Sequence, residues 1–291
     1  MSPQAVVVPF VDRHGDRGRG QDRASGQPCG DSGAAWVGRV ARTLHPVQAG
    51  AACGETPLAG GAARPLYTAP DIDLDGLPVL LVSGLVSTPD SLRVLRDWLL
   101  RAGAQLEVSP VSYGVDCGER TTRLVEAHAR GLAERAGRPC LLLAHSRGGH
   151  FARAVAVRRP ELVAGLVTLG TPVNRLLGVH PLLRAELAVL AALGTLGVPG
   201  VIRASCLWGT CCRQLRADLR APLPAGQTYL VVFSEQDEVV DWRSCLDPWA
   251  RHQAVTASHS GMLRSPEVLQ VLAAELGSVA RRYAQPAAAT A

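Results

Sequence analysis

The sequence predicts an α/β fold in which a doubly wound, mostly parallel β-sheet carries helices on both faces. Two observations support this prediction. From Pro78 onward, short apolar runs alternate with segments of helical periodicity, and strands buried on both faces have this continuous apolar character. In addition, 47% of the 291 residues are hydrophobic, which is enough to bury one large α/β core or two modest ones.

The predicted elements alternate between strand and helix. In chain order they are strand 78–83, helix 89–102, strand 105–109, helix 119–135, strand 140–144, helix 148–158 and strand 163–169. Thr88 and Pro89 are a suitable start for the first helix, and Gly103 is a suitable end. After a gap come strand 228–233, strand 253–256 and a final amphipathic helix with Val268, Leu272, Leu276 and Val279 on one face.

The two ends of the chain are predicted to lie outside this fold. Residues 1–70 are rich in Gly, Ala, Arg and Pro and show little periodicity, so we expect a low-complexity, disordered extension with a short helix near Trp36 to Leu44. Residues 285–291 are expected to form a disordered tail. The predicted folded domain spans 71–284 and has a helix-rich insertion at about 173–221.

Charge and hydropathy exclude several classes of partner. The formal charge of +5 is carried by arginine alone, and the arginines are spread among acidic residues, whereas nucleic-acid sites need clustered basic residues with aromatic neighbours. The most apolar stretch, Leu187 to Ile202, is broken by glycines and Pro199, which predicts no transmembrane segment. The start of the chain lacks the pattern of a signal peptide. We therefore expect cytoplasmic residence, with export left open by the eight cysteines.

The stretch CLLLAHSRGGHFARA, residues 140–154, passes from apolar to glycine-rich to helical. Ser146 is thus predicted at a strand-to-helix corner, where a sharp turn lifts a hydroxyl above the sheet and tolerates only small neighbours such as Ala144 and Gly148. The helix that follows points its positive end at Ser146, and the Arg147 amide could donate to an oxyanion there. A structural turn that happens to contain serine is the alternative.

A serine hydroxyl is a weak nucleophile until a base accepts its proton, and imidazole does so best when a carboxylate fixes its tautomer. His259 follows a predicted strand in a loop of small residues, and we predict it as the base, with His252 as the alternative. Asp237 lies just beyond strand 228–233 and is the predicted carboxylate. Asp241 remains an alternative acid because it could also reach His259.

Further motifs lie in an order that a known family shares. They are LLVSGLVSTPDSLRVL after the first strand, LVTLGTPVN at residues 166–174, VVFSEQDEVVDW around Asp237 and AVTASHSGML around His259. Together with the Ser146 corner, they resemble the α/β-hydrolase superfamily, in particular compact bacterial serine esterases and lipases, over about residues 74–280. The resemblance implies that the amides of Leu85 and Arg147 form an oxyanion hole, and it favours Asp237 over Asp241.

The chain departs from the usual family pattern at two places. Ser83 and Gly84 stand where the family usually has His-Gly, and Ala144 stands where it usually has glycine. A backbone amide forms the oxyanion hole and alanine is small, so both departures are compatible with the mechanism.

The insertion at 173–221 is dense in Leu, Ala and Val. Its helices could cover the catalytic end, in which case Leu187, Leu190, Leu193 and Leu196 are candidates for the wall of an acyl pocket. The alternative is that these helices pack on the sheet and contact no substrate.

Cysteines cluster in the same segment at Cys206, Cys211 and Cys212, with Cys117 and Cys245 elsewhere. The paired C-x-x-C spacing and adjacent histidines of a zinc site are lacking, so the sequence predicts no metal. A disulfide from the insertion to Cys245 would require export of the protein.

These residues predict a serine hydrolase that cleaves carboxylic esters through an acyl-enzyme on Ser146 and needs no cofactor. Its partner would be a small-molecule ester, acyl lipids included. A thioesterase or an acyltransferase using the same residues is the alternative among enzymes. A non-catalytic binding module with the same fold is the alternative from another class.

Overall fold

The computed structural model describes residues 72–85, 89–109 and 114–284. The predicted extension at 1–70 with its helix near Trp36 to Leu44, the predicted tail at 285–291 and the predicted helix start at Thr88 lie outside the described residues.

Six parallel strands form one sheet, which confirms the predicted α/β architecture. The strands are β1 (Pro78–Val82), β2 (Gln105–Val108), β3 (Cys140–His145), β4 (Val163–Leu169), β5 (Thr228–Phe233) and β6 (Arg251–Ala254). Their spatial order is β2-β1-β3-β4-β5-β6, and every neighbouring pair is parallel. The chain therefore winds from β1 to one edge at β2 and then in the opposite direction from β3 to β6, which is the double winding that the sequence predicts.

Helices connect these strands. They are α1 (Arg93–Arg101), α2 (Gly118–Ala136), α3 (Gly148–Arg158), α4 (Pro181–Thr195), α5 (Ala204–Leu207), α6 (Arg213–Asp218) and α7 (Pro266–Ala284). Short 3-10 turns lie at Pro89–Leu92, Pro160–Leu162, Trp242–Ser244 and Ser260–Leu263.

The inner strands are buried on both faces because their side chains alternate between two hydrophobic cores. In β1, Leu80 and Val82 pack in a core with residues of α2 and α3, whereas Val79 and Leu81 pack in a core with residues of α1 and α7. The four apolar residues that predict the face of α7 are all 0% exposed. The continuous apolar runs of the sequence thus reflect a sheet with helices on both sides.

Two predicted elements begin more than one residue away from the expected position. Strand β6 spans Arg251–Ala254 and not 253–256, because it is an edge strand whose four residues are all exposed, so it has no apolar pattern. The apolar Val255 that attracted the prediction is buried just beyond it. The predicted helix 89–102 begins with the 3-10 turn Pro89–Leu92, and only Arg93–Arg101 is α-helical.

The segment between β4 and β5 contains α4, α5 and α6, so the predicted insertion is helical. Among the described residues, no helix combines the length and the apolar character that crossing a membrane requires.

Candidate active site

The carboxyl ends of β1 and β3 lie side by side where the winding of the sheet reverses. In open parallel sheets, such a reversal leaves a crevice at the ends of the strands, and ligands bind there. Leu85 follows β1 and Ser146 follows β3 directly. Two residues singled out in the sequence therefore lie at the point where this architecture binds ligands.

Ser146 forms a strained corner between β3 and α3. Its φ is 53°, in the left-handed region, where a side chain costs about 1 kcal/mol or more. The backbone is held in this state because the Ser146 N–H donates to the Leu169 carbonyl at 2.8 Å and its carbonyl accepts from the Thr171 hydroxyl at 2.8 Å. Glycine is required at the start of α3, since a Cβ at Gly148 would lie 2.5 Å from the Val82 carbonyl oxygen.

The loop after β1 passes directly against Ser146. A Cβ at Gly84 would lie 2.6 Å from the Cβ of Ser146, so only glycine permits this approach. The next residue, Leu85, lines the same cavity as Ser146 and Arg147. Neither the Leu85 nor the Arg147 amide donates a backbone hydrogen bond to another residue of the described chain. Both N–H groups are thus available to a ligand beside the serine.

Asp237 and His259 form a buried ion-pair contact close to this corner. The Nδ1 atom of His259 lies 2.7 Å from Oδ2 of Asp237, and the two side chains are 6% and 1% exposed. The other carboxylate oxygen of Asp237 accepts the N–H groups of Val239 and Val240 at 2.9 and 2.8 Å. A carboxylate can accept hydrogen bonds but cannot donate them. The Asp237 carboxylate therefore favours the tautomer of a neutral His259 that has its proton on Nδ1, and in this tautomer Nε2 is the hydrogen-bond acceptor.

His145 packs against His259. Its Nε2 lies 3.0 Å from the carbonyl oxygen of His259, and the two rings are 4.7 Å apart. Burial lowers the pKa of His145 to about 3, so its ring is neutral at neutral pH and donates to the carbonyl through Nε2–H. A neutral neighbour does not repel a positive charge that develops on His259.

The two alternative residues have other roles in the structure. Asp241 is 41% exposed, and its carboxylate accepts the N–H of Arg243 at 3.1 Å, so it caps the 3-10 turn Trp242–Ser244. His252 lies in the exposed edge strand β6, and its Nε2 accepts the N–H of Asp247 at 3.2 Å. Within the described residues, neither forms a hydrogen bond or an ion pair with the side chain of His259 or Ser146.

A narrow apolar cavity of about 90 Å³ lies beside Ser146. Its wall includes residues of the loop after β1, of α3 and of the insertion, among them Leu85, Phe151, Leu176, Leu183, Leu187, Leu207 and Leu215. Ligand pockets are commonly several times larger. An acyl chain of more than a few carbons would therefore need the insertion helices to move outward.

Of the four leucines predicted to line an acyl pocket, only Leu187 contributes to this cavity. Leu190 packs at the edge of two hydrophobic clusters, Leu193 is half-buried, and Leu196 is 84% exposed just beyond α4. The physical reason is the helical period. A spacing of three residues turns the direction by about 60° at each step, so Leu196 lies about 180° from Leu187.

The sequence interpretation missed Leu183, which lies on the cavity wall and is 7% exposed, as is Leu187. Residues four apart share one face of a helix. The spacing of Leu183, Leu187 and the buried Ala191 was therefore the signal that could have identified the inner face of α4.

Comparisons with known proteins agree with this architecture. Over 131 residues the chain is 34% identical to a triacylglycerol lipase of Burkholderia plantarii, a match that covers 40% of this chain and 37% of the lipase, well under half of its length. No protein-family model matches the chain.

Among solved structures, the mature form of the Bacillus licheniformis lipase BlEst2 has a TM-score of 0.52 at 15% identity, covering 74% of this chain and 99% of that chain. A soluble variant of monoglyceride lipase from Saccharomyces cerevisiae has a TM-score of 0.50 at 14% identity, covering 75% and 90% of the two chains. The parallel sheet, the corner at Ser146 and these likenesses show that the chain has the α/β-hydrolase fold.

Proposed function

We propose that this chain is a carboxylic ester hydrolase that works through an acyl-enzyme on Ser146. The observation that carries the proposal is the 2.7 Å contact between His259 Nδ1 and a buried Asp237 carboxylate, combined with the strained φ of 53° at Ser146. A turn with a purely structural role does not require a strained serine and a nearby imidazole whose tautomer is fixed. The lipases among the similar proteins support the same reaction class.

In the proposed mechanism, Ser146 Oγ attacks the ester carbonyl carbon while its proton passes to Nε2 of His259. The Asp237 carboxylate accepts the Nδ1–H hydrogen bond and stabilises the imidazolium that forms. The proton then passes from Nε2 to the alcohol oxygen as the C–O bond breaks. A water molecule attacks the acyl-enzyme by the same route, releases the acid and restores the Ser146 hydroxyl.

His259 Nε2 makes no hydrogen bond to another side chain or carbonyl of the described residues. It is therefore available to accept a proton from Ser146. Nucleophile-to-base hydrogen bonds are often long in a free enzyme and shorten when substrate binds.

The negative charge of the tetrahedral intermediate would be stabilised by the N–H groups of Leu85 and Arg147. Both residues border the same cavity as Ser146, and the Arg147 amide lies at the positive end of the eleven-residue helix α3. Removing one donor of this kind typically costs about 100- to 1000-fold in turnover.

The cavity supports an acyl group as the part of the substrate that is recognised. Its wall is mostly apolar and includes seven leucines, which favours hydrocarbon as the group that it binds. We propose esters with a short to medium acyl chain as substrates, and the ester chemistry needs no cofactor because the chain itself supplies nucleophile, base and oxyanion donors.

The test is labelling with a fluorophosphonate followed by assays on p-nitrophenyl esters of increasing chain length. We expect the probe to attach to Ser146, and Ser146→Ala to lose both labelling and about a million-fold in turnover. Ser205→Ala, at an exposed serine of α5, is the matched control and should retain both. Near-normal ester turnover in Ser146→Ala would refute the assignment of the site.

The same assays separate the alternative reactions. Faster turnover of acyl thioesters than of the matched oxygen esters would favour a thioesterase. Transfer of the acyl group to an added alcohol in preference to water would favour an acyltransferase. Absence of labelling and of turnover in a folded protein would favour a non-catalytic binding module.

A further inference from the structure

Four cysteine sulfur atoms meet at one end of the cavity that contains Ser146. The Sγ atom of Cys117 lies 3.5 Å from that of Cys211 and 3.8 Å from that of Cys212, and Cys206 lies 3.7 Å from Cys211. All four sulfur atoms are within 4.8 Å of one another. Cys206 and Cys212 also line the cavity wall. The fold thus places four cysteine thiols, which are soft metal ligands, close to one another.

These distances suit one metal ion better than disulfides. In a tetrahedral site with Zn–S bonds of about 2.3 Å, neighbouring sulfur atoms are about 3.8 Å apart. In a disulfide, the two sulfur atoms are about 2.05 Å apart. Tetrahedral coordination by four sulfur atoms is characteristic of zinc.

We propose that Cys117, Cys206, Cys211 and Cys212 bind one zinc ion as four thiolates. The sequence disfavoured a metal because the segment around Cys206 lacks paired C-x-x-C spacing. The fold supplies the missing ligand, since Cys117 comes from the loop before α2, far away in the sequence. Zinc binding replaces thiol protons, which pass to solvent, and no oxidation or reduction takes place.

The surroundings of the cluster favour thiolates. Cys117 immediately precedes the 19-residue helix α2, whose positive end stabilises a negative sulfur. Four thiolates and one Zn²⁺ carry a net charge of −2. The Arg147 guanidinium donates at 3.1 Å to the carbonyl of Asp116, the residue before Cys117, and Arg216 donates to the Cys206 carbonyl at 3.2 Å, so two cations lie near this negative charge.

The proposed ion would link the insertion to the helix α2, which packs on the sheet. Cys206 lies in α5, and Cys211 and Cys212 lie just before α6, whereas Cys117 belongs to the body at the start of α2. Because the protein supplies all four ligands, no position is left for water or substrate, and the ion is structural. The role is therefore to hold α5 and α6, which carry Leu207 and Leu215 of the cavity wall.

The experiment measures zinc in the full chain, purified from zinc-supplemented cells without added chelator, by inductively coupled plasma mass spectrometry. We expect about one zinc per chain. Cys211→Ser is the informative variant, because Cys211 is exposed and its replacement leaves the buried core intact. We expect it to bind zinc at least about tenfold more weakly. Cys245→Ala, at a buried cysteine outside the cluster, is the matched control and should retain zinc.

Two further measurements distinguish zinc from disulfides. Cobalt substitution should give the intense visible absorption of a tetrahedral thiolate site in the wild type and the Cys245→Ala variant, but not in Cys211→Ser. Chelation of zinc should lower the melting temperature of the wild type by about 5–10 °C and should have no effect on Cys211→Ser.

A thiol count in denaturant with chelator and without reductant gives the opposite outcomes directly. The proposal requires that all four cysteines of the cluster react, which peptide mapping of the alkylated thiols shows. A disulfide that joins two of these four would overturn it, as would a wild type without zinc or cobalt binding, or a Cys211→Ser variant that binds zinc as tightly as the wild type. None of these measurements uses ester turnover, so they stand or fall independently of the proposed reaction.

Discussion

Replacing Asp237 with asparagine tests the proposed proton path because the structure dictates how the new amide must lie. The Oδ1 atom of Asp237 accepts two backbone N–H groups, from Val239 at 2.9 Å and from Val240 at 2.8 Å. An asparagine will place its carbonyl oxygen there, since its NH2 group would face two donors and forfeit two hydrogen bonds of about 1 kcal/mol each. Its NH2 group is then directed at His259.

The consequence is a change of tautomer at His259. With an amide donor facing Nδ1 at the present 2.7 Å contact, the imidazole accepts at Nδ1 and carries its proton on Nε2. It can no longer accept the proton of Ser146. In the proposed mechanism, Asp237→Asn therefore lowers kcat/KM by about 1000- to 10,000-fold, whereas the fold and the melting temperature change little.

The assay is kcat/KM on a p-nitrophenyl ester for Asp237→Asn and for Asp241→Asn, with nitrogen NMR of His259 to identify the tautomer. Asparagine caps a turn as well as aspartate does, so Asp241→Asn should stay within about twofold of the wild type. The reasoning is refuted if Asp237→Asn keeps more than about a tenth of the activity, or if Asp241→Asn is the more damaged variant.

Two further predictions concern the cavity and the pH dependence of stability. The value of kcat/KM should rise about fourfold for each methylene of the acyl chain that the cavity wall buries, because each buried methylene contributes about 0.8 kcal/mol of binding. Leu187→Asn should flatten this rise. Leu196→Asn, at an exposed position, should leave it unchanged. An equal effect of both variants would contradict the pocket. Burial lowers the pKa of His145 to about 3 and that of His150 to about 4, below about 6.5 in the unfolded chain. The unfolded state thus binds more protons below pH 6.5, and urea titrations should find the free energy of unfolding about 4 kcal/mol lower at pH 5 than at pH 7. A loss below about 1 kcal/mol would contradict this.

The sequence predicts most of the fold because the inner strands of this sheet are buried on both sides, and each of these four strands has its own apolar run. The predicted bounds of five of the six strands agree with the structure within about one residue, and the predicted helix 148–158 agrees with Gly148–Arg158. The exception, β6, has four exposed residues at the edge of the sheet. This strand is defined by its backbone pairing with β5, which the hydropathy pattern of the sequence does not reveal.

The candidate site is harder to predict from the sequence than the fold, because it depends on contacts between segments that are distant in the sequence. The corner at Ser146 has a local signature, but Asp237 and Asp241 share one loop, and only the two amides that hold Asp237 and its contact with His259 distinguish them. Of the predicted pocket leucines, only Leu187 lines the cavity, because composition indicates an apolar helix without indicating its inner face. The sequence identifies the cysteine-rich segment but not that Cys117, from another part of the chain, lies against it, because that contact depends on the fold.

Arg147 takes part in both the proposed ester hydrolysis and the proposed zinc site. Its amide is a proposed oxyanion donor beside Ser146, while its guanidinium donates at 3.1 Å to the carbonyl of Asp116, which precedes Cys117 of the cysteine cluster. A metal held by four thiolates would keep a fixed negative charge facing this guanidinium and so hold the side chain in place. Loss of the metal would remove that charge and also release α5 and α6. Since the proposed catalytic residues lie at the ends of the strands and only this part of the cavity wall lies on the insertion, such a loss should change the preference for acyl-chain length before it slows the turnover of short-chain esters.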